Sequence, residues 1–170
     1  LVVESGDIRE VHHFATHIGY GASAIHPYLV FQSIGELAEN ELSHTALESS
    51  KLINNYIKAA SNGLLKIFSK MGISTYQSYH GAQIFEIVGL SNAVVKKCFD
   101  GTPSRIEGMT FDDIAHEVLV KHKLAFPDIS NNAKKLEVGG VYQWKRRGEA
   151  HMLNPDSIHL LQNDKKKGDY

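Results

Sequence analysis

Strand-like and helix-like stretches alternate along this chain, and the alternation predicts an α/β fold built mostly from parallel strands. Three observations carry that prediction. The runs "LVVES" (residues 1–5) and "AIHPYLVF" (24–31) are rich in β-branched and aromatic residues, and they flank "IREVHHFATHIG" (8–19), where Ile8, Val11, Ala15 and Ile18 recur at helical spacing. A long amphipathic helix follows from Lys51 to Lys70. Further on, short extended and helical pieces exchange places again up to Phe126.

Taken in order, the first three elements read as a β-α-β unit, and residues 33–48 are polar and irregular, which predicts a surface excursion. In the long helix Ile53, Tyr56, Ile57, Ala60, Leu64, Ile67, Phe68 and Met71 form the apolar stripe, while Lys51, Asn55, Lys58, Asn62 and Lys66 hold the opposite face. Gly72 is its expected stop, and Gly63 within it costs on the order of 1 kcal/mol relative to alanine, which leaves room for a bend near Asn62 and Gly63 within one helix. "ISTYQSY" (73–79) reads as a strand, "GAQIFEIVGL" (81–90) and "SNAVVKKCF" (91–99) as two short helices, and "GTPSRI" (101–106) as a short extended piece. "TFDDIAHEVLVKHKLAF" (110–126) is helical, with Thr110 as N-cap, Asp113 completing a capping box, and Pro127 just beyond. Residues 128–140 then form a polar connector with paired glycines. "VYQWKRRGEAHMLN" (141–154) reads as a hairpin turning at Arg147 and Gly148, and Asn154 with Pro155 opens a last helix.

Composition excludes several function classes. At 170 residues, 42% of them apolar, the chain can bury roughly 70% of its unfolded surface, so it reads as globular. Eighteen basic against nineteen acidic residues leave a formal charge of −1, which supplies no field for a nucleic-acid backbone or an anionic membrane. No apolar run reaches the roughly 20 residues of a membrane span. The one cysteine, Cys98, excludes an internal disulfide framework and a thiolate metal cage, and a reducing compartment fits this usage. Leu1 lies in a run that already reads as strand, where a loosely held segment is the usual start, so a piece of a longer chain is expected.

Four places invite a chemical reading. His13 and His17 stand four apart on one helix beside His12, the spacing for two imidazoles on one ion, yet "HFATH" lacks the glutamate that zinc hydrolases use as base. Hydrogen bonding to neighbouring strands is the simpler reading for this pair. Cys98, beside Lys96 and Lys97, is expected on the apolar side of its helix, as a small hydrophobe rather than a nucleophile. In "GTPSRI", Thr102, Ser104 and Arg105 are candidates for an anion nest, against the plainer reading of a turn entering a strand. The fourth is "SKMGISTYQSYHGAQIFE" (69–86). A strand running into a helix that opens at Gly81 is where free N–H groups collect phosphates, so this stretch is either a ligand site or a buried joint.

Longer phrases are more specific than these motifs. "LVVESGDIREVHHFATHIGYGASAIHPYL", "NYIKAASNGLLKIFSKMGISTYQSYHGAQIFE", "GTPSRI" and "GEAHMLNPDSIHLLQ" together resemble the large subunit of glutamate synthase, in order and over nearly the whole chain. The region resembled is the end of the central domain (residues 1–127) and the connector and start of the FMN-binding synthase domain (128–170). That resemblance implies a barrel-like α/β topology, of which this length represents at most about half, since a full barrel takes about 250 residues. It therefore implies apolar sheet edges and self-association of the isolated segment. In the whole enzyme the resemblance implies a cysteine glutaminase, an FMN and iron–sulfur synthase barrel, electrons from a small flavoprotein subunit or ferredoxin, and a cytoplasmic or, for the ferredoxin type, plastid location. Glutamine-derived ammonia and 2-oxoglutarate would there give an imine that reduced FMN converts to glutamate.

Under this resemblance residues 69–86 are expected to be a structural joint, with Ser74, Gln77, Ser78, Tyr79, His80 and Gln83 bonding inward or lining a path between domains. The segment itself carries no expected catalytic residue and no expected cofactor site. The alternative is a self-sufficient metal-dependent hydrolase built on His12, His13 and His17. Flanking sequence discriminates the two: an upstream cysteine-first glutaminase and a downstream barrel with cluster cysteines fit only the first.

Overall fold

A computed structural model of the chain describes residues 1–39, 48–126, 138–141 and 143–167. They fall into two compact units, Leu1–Glu117 and Val118–Tyr170. In the first unit the order is β1 (Val2–Glu4), α1 (Val11–Gly19), β2 (Ala24–His26), α2 (Tyr28–Glu39), α3 (Ser49–Lys70), α4 (Tyr76–Tyr79), β3 (Ile87–Leu90), α5 (Asn92–Cys98), β4 (Ser104–Met109) and the first part of α6 (Phe111–Ala125).

The parallel character expected from the alternation is present, in two separate ribbons. β1 pairs with β2 in register Val2↔Ala24, Val3↔Ile25 and Glu4↔His26, with α1 as the crossover. β3 pairs with β4 through Ile87↔Ser104, Val88↔Ile106 and Leu90↔Met109, with register shifts between them and α5 as the crossover. Both ribbons are two-stranded. Parallel sheets are normally covered on both faces, yet Val88 and Ile106 of the second ribbon are 66% and 58% exposed.

The core lies where α1, α3 and α4 meet. Ala15, Ile18, Phe68 and Tyr79 are buried together, with Leu64, Ile67, Ile73 and Phe85 packed against them, and the Phe68 and Tyr79 rings stand 4.3 Å apart. Ile8 is also buried, one turn ahead of α1. α3 runs through Gly63 as one helix, as expected. What Gly63 provides is proximity: a Cβ there would sit 2.5 Å and 2.8 Å from the Val11 methyls, so α1 and α3 cross at their closest over a missing side chain. Gly72, at φ 71°, ends the helix as its position in the sequence implied.

Several local expectations are corrected. Only Ala24–His26 of "AIHPYLVF" is strand; from Tyr28 the chain is helical, so residues 33–39 belong to α2 instead of an irregular excursion. Pro27 makes the switch, since its carbonyl accepts from Val30 (3.1 Å) and Phe31 (3.3 Å) and so starts the helical ladder. Residues 40–47 lie outside the described residues. "ISTYQSY" holds a helical turn in place of a strand, because Thr75 caps it: its hydroxyl accepts from the Ser78 N–H at 3.3 Å. "GAQIFEIVGL" is no helix. Gly81 and Gln83 take positive φ (69° and 49°), and Ile87–Leu90 becomes β3 once β4 is there to pair with it. α5 does form as expected, capped by Ser91, but Cys98 at its end is exposed where the sequence placed it on the apolar side.

α6 carries the capping box read from the sequence. The Asp113 carboxylate accepts from the Thr110 N–H (2.8 Å) and hydroxyl (2.7 Å), and the Thr110 hydroxyl accepts from the Asp113 N–H (3.3 Å). Those bonds from Thr110 hold the Asp113 carboxyl below the ordinary aspartate value.

In the second unit, α7 (Pro155–Lys167) starts as expected: Asn154 Oδ1 accepts from the N–H groups of Asp156 (2.9 Å) and Ser157 (3.0 Å). The expected C-terminal hairpin is corrected. A turn does close at Arg147 and Gly148, with Gly148 N–H on the Lys145 carbonyl at 3.0 Å, but the described residues on either side form no strand ladder. Gly139 and Gly140 at φ 71° and 102° swing the incoming chain out of extended geometry, and the loop is closed by Glu149 N–H on the Gly139 carbonyl (2.9 Å) and by the His151 imidazole on the Gly140 carbonyl. Residues 127–137 of the polar connector, and Tyr142, lie outside the described residues.

Candidate functional site

The C-terminal end of α1 gathers several of the residues singled out from the sequence. A helix end leaves carbonyls without intrahelical partners, and here two segments supply donors. The chain just beyond the helix gives Gly21 N–H to the Ile18 carbonyl (2.9 Å) and Ala22 N–H to the His17 carbonyl (2.9 Å). The 69–86 stretch gives Gly81 N–H to Ile18 (3.0 Å) and Gln83 N–H to Gly19 (3.0 Å). The N–H groups at Gly81 and Gln83, which the sequence offered as a phosphate cradle, are therefore engaged with the negative end of a helix.

The polar side chains of the same stretch divide. Tyr79 turns fully inward and donates to the Ala15 carbonyl at 3.1 Å, and burial pushes its phenol above the ordinary value. Tyr76 donates to the carbonyl of Ala22 (3.2 Å), and His80 Nε2 lies 3.3 Å from the Ser23 hydroxyl. Ser78 turns back on Thr75 (2.7 Å). Ser74 sits on the wall of an open cleft of about 640 Å³ beside the last turn of α3, Gln83 on that of a cavity of about 480 Å³ between α1 and the end of α5, and Gln77 is exposed. The structure thus brings Tyr79 and the Gln83 backbone onto α1 and His80 onto Ser23 just beyond it, and leaves Ser74, Gln77 and Ser78 outside that contact.

Thr102, Ser104 and Arg105 do not converge. Thr102 is buried with its hydroxyl 3.0 Å from the Tyr20 hydroxyl, the Ser104 hydroxyl is enclosed by protein, and Arg105 points outward to the Glu86 carboxylate at 3.3 Å. A phosphate group needs several free donors aimed at one point, with no carboxylate beside them. These three residues do not fit the FMN phosphate.

The histidines are held by their own helix, not by neighbouring strands as expected. His13 Nδ1 accepts the N–H groups of Arg9 (3.2 Å) and Glu10 (3.4 Å), which places the neutral ring's proton on Nε2. His17 Nδ1 donates to the His13 carbonyl at 2.7 Å, leaving its Nε2 with a lone pair. His12 is exposed. Of the two facing imidazoles, then, only His17 retains a free ligating nitrogen in the neutral pair, and among the described residues no group of three His, Cys, Asp or Glu stands close enough to hold an ion.

Tyr20 is the residue the sequence reading missed. It follows α1 between Gly19 and Gly21, and its ring packs between Phe85 (centroids 5.2 Å apart) and Phe99 (5.4 Å). Its only sequence signal is an aromatic residue between two glycines at a helix end, which does not tell which segments it will meet.

The fold is mixed α/β, and among the described residues the polar groups at the end of α1 bond to the segment's own elements. Residues 1–91 match the family model described as the glutamate synthase central domain. The whole chain is 44% identical over 171 residues to the NADPH glutamate synthase large chain of Bacillus subtilis, covering 11% of that protein. It is 43% identical to the NADH glutamate synthase of Schizosaccharomyces pombe (96% of this chain, 8% of that protein) and 43% to a ferredoxin-dependent glutamate synthase of Synechocystis (95% and 11%). The chain belongs to the glutamate synthase family, and it spans about a tenth of the length of the relatives it matches. Among the described residues no helix is long and apolar enough to cross a membrane.

Proposed function

We propose that this chain is a non-catalytic segment of a glutamate synthase, holding the glutaminase and synthase domains of one polypeptide in register while ammonia passes between them. The observation that carries the reading is the match to glutamate synthases over 95–100% of the chain, at 43–44% identity to the three relatives above. On this reading residues 1–127 close the central domain and 128–170 lead into the FMN-binding domain, and the two parallel ribbons are part of a barrel-like sheet. The bare faces at Val88 and Ile106 support that last point, because a parallel ribbon so exposed is covered by further elements in a complete fold. The cysteine glutaminase and the FMN and iron–sulfur barrel lie elsewhere in the polypeptide. Bacterial, fungal and cyanobacterial relatives named for NADPH, NADH and ferredoxin match almost equally, so the choice of electron donor, and with it a cytoplasmic or plastid location, is set outside these residues. The metal-dependent hydrolase alternative has no support among the relatives.

Within the segment, residues 69–86 act as a joint, supported by the Tyr79, Gly81 and Gln83 bonds to α1. The experiment is a pair of substitutions in the full-length enzyme, Ser78→Trp and Gln83→Trp, with glutamine hydrolysis and glutamate formation measured together. A joint leaves the two rates coupled one to one, whereas hydrolysis running ahead of synthesis would make this stretch a wall of the ammonia path. For the segment alone, FMN titrated into purified protein is expected to keep its fluorescence. Saturable, stoichiometric quenching at micromolar flavin would show that it holds part of the cofactor site.

A further inference from the structure

Within the first unit the elements pack in two halves. β1 packs with β2, and α1 and α2 with α3, on the Leu1–Phe85 side; β3, β4 and α5 pack with one another on the Glu86–Met109 side. Among the described residues, a crossing hydrogen bond and a crossing ring pair both use Tyr20. They are Tyr20 hydroxyl to Thr102 hydroxyl, 3.0 Å, and Tyr20 on Phe99. Beside this contact the halves do not close-pack: the cavity of about 480 Å³ lies between them, with Val3, His17 and Gln83 on one wall and Cys98, Phe99 and Asp100 on the other.

We propose that the first unit is articulated at Phe85–Glu86, and that the Tyr20–Thr102 bond is the latch that sets the width of the cavity between its halves. A close-packed interior resists separation through many small contacts at once. Here a cavity of about 480 Å³ lies beside the Tyr20–Thr102 contact, and on this proposal the bond between the two hydroxyls sets the opening equilibrium. Opening uncovers Thr102, which is buried in the latched form, and frees the turn held by its N–H bond to the Phe99 carbonyl (3.0 Å). Phe85 stays with the α1 side, against which it packs, and its contact with the Tyr20 ring holds Tyr20 on that side as the halves part.

The test is peptide-resolved hydrogen exchange on the full-length polypeptide, which needs neither flavin nor turnover and so stands apart from the function proposed above. Tyr20→Phe and Thr102→Val each remove the bond while keeping ring or branch. Each is expected to speed exchange over residues 99–104 by roughly three- to tenfold, the factor that loss of one neutral hydrogen bond sets, and the double variant is expected to go no further than either single one. Exchange in α3 over residues 59–68 stays at the wild-type rate. Unchanged exchange at 99–104, an equal rise in α3, or strictly additive effects in the double variant would each overturn the latch.

Discussion

Substitution of Gly63 by alanine sets two effects of opposite sign against each other. In an isolated helix the change is favourable by about 1 kcal/mol, because glycine loses more backbone freedom on folding. In this structure the new Cβ meets Val11 Cγ2 at 2.5 Å, Cγ1 at 2.8 Å and Cβ at 3.2 Å. Rotating Val11 gives no relief, since both methyls are in the way and a β-branched residue in a helix has essentially one rotamer. The worst contact falls about 0.9 Å short of the 3.4 Å at which ordinary packing begins, so α1 and α3 must move apart. Overpacking of that kind costs about 1–3 kcal/mol, and Gly63→Ala is therefore expected to be destabilising by about 1 kcal/mol net. The sign should reverse in a Val11→Ala background, where both methyls are gone and the intrinsic gain of about 1 kcal/mol remains. Urea unfolding of the four proteins, followed by far-ultraviolet circular dichroism, gives the double-mutant cycle, with an expected coupling of about 2 kcal/mol. Stabilisation by Gly63→Ala with Val11 in place would refute the close crossing of α1 and α3.

Other expectations follow from the same structure. Tyr79→Phe keeps the buried ring on Phe68 but loses the bond to the Ala15 carbonyl, and should lower stability by about 0.5–1.5 kcal/mol in the same urea assay. Asp113 has its carboxyl depressed in the folded state, so the stability it lends is present above the ordinary aspartate value and is lost as pH falls through the folded one; acid titration should fray the start of α6 in the native chain, and Asp113→Asn should remove that pH dependence, both read by hydrogen exchange at residues 111–114. The exposed Val88 and Ile106 predict that the isolated segment elutes larger than a monomer in size-exclusion chromatography, and that Val88→Lys with Ile106→Glu shifts it toward monomer; a clean, stable monomer of the unmodified segment would contradict this.

What the sequence determined by itself are the elements whose signals are local. α3, the short helix α5, the Thr110–Asp113 box of α6 and the Asn154–Pro155 start of α7 were all legible, because a helix satisfies its backbone within itself and its ends are closed by residues a few positions away. The family was legible too, since long phrases in a fixed order carry far more information than any short motif. Elements that depend on distant partners were not. "EIVGL" has the composition of either a strand or a buried helix, and it is a strand because β4, more than ten residues on, pairs with it. The joint at 81–83 exists because the carbonyls of Ile18 and Gly19, more than sixty residues back, take its N–H groups, and neither segment announces the other. Gly63 reads as a weak point in a helix and turns out to be a point of contact, while Tyr20 becomes a link only after the chain brings Thr102 to it. Tertiary structure decides these cases because burial and pairing join residues far apart in sequence, and there the energy of a contact overrides the propensity of any one residue.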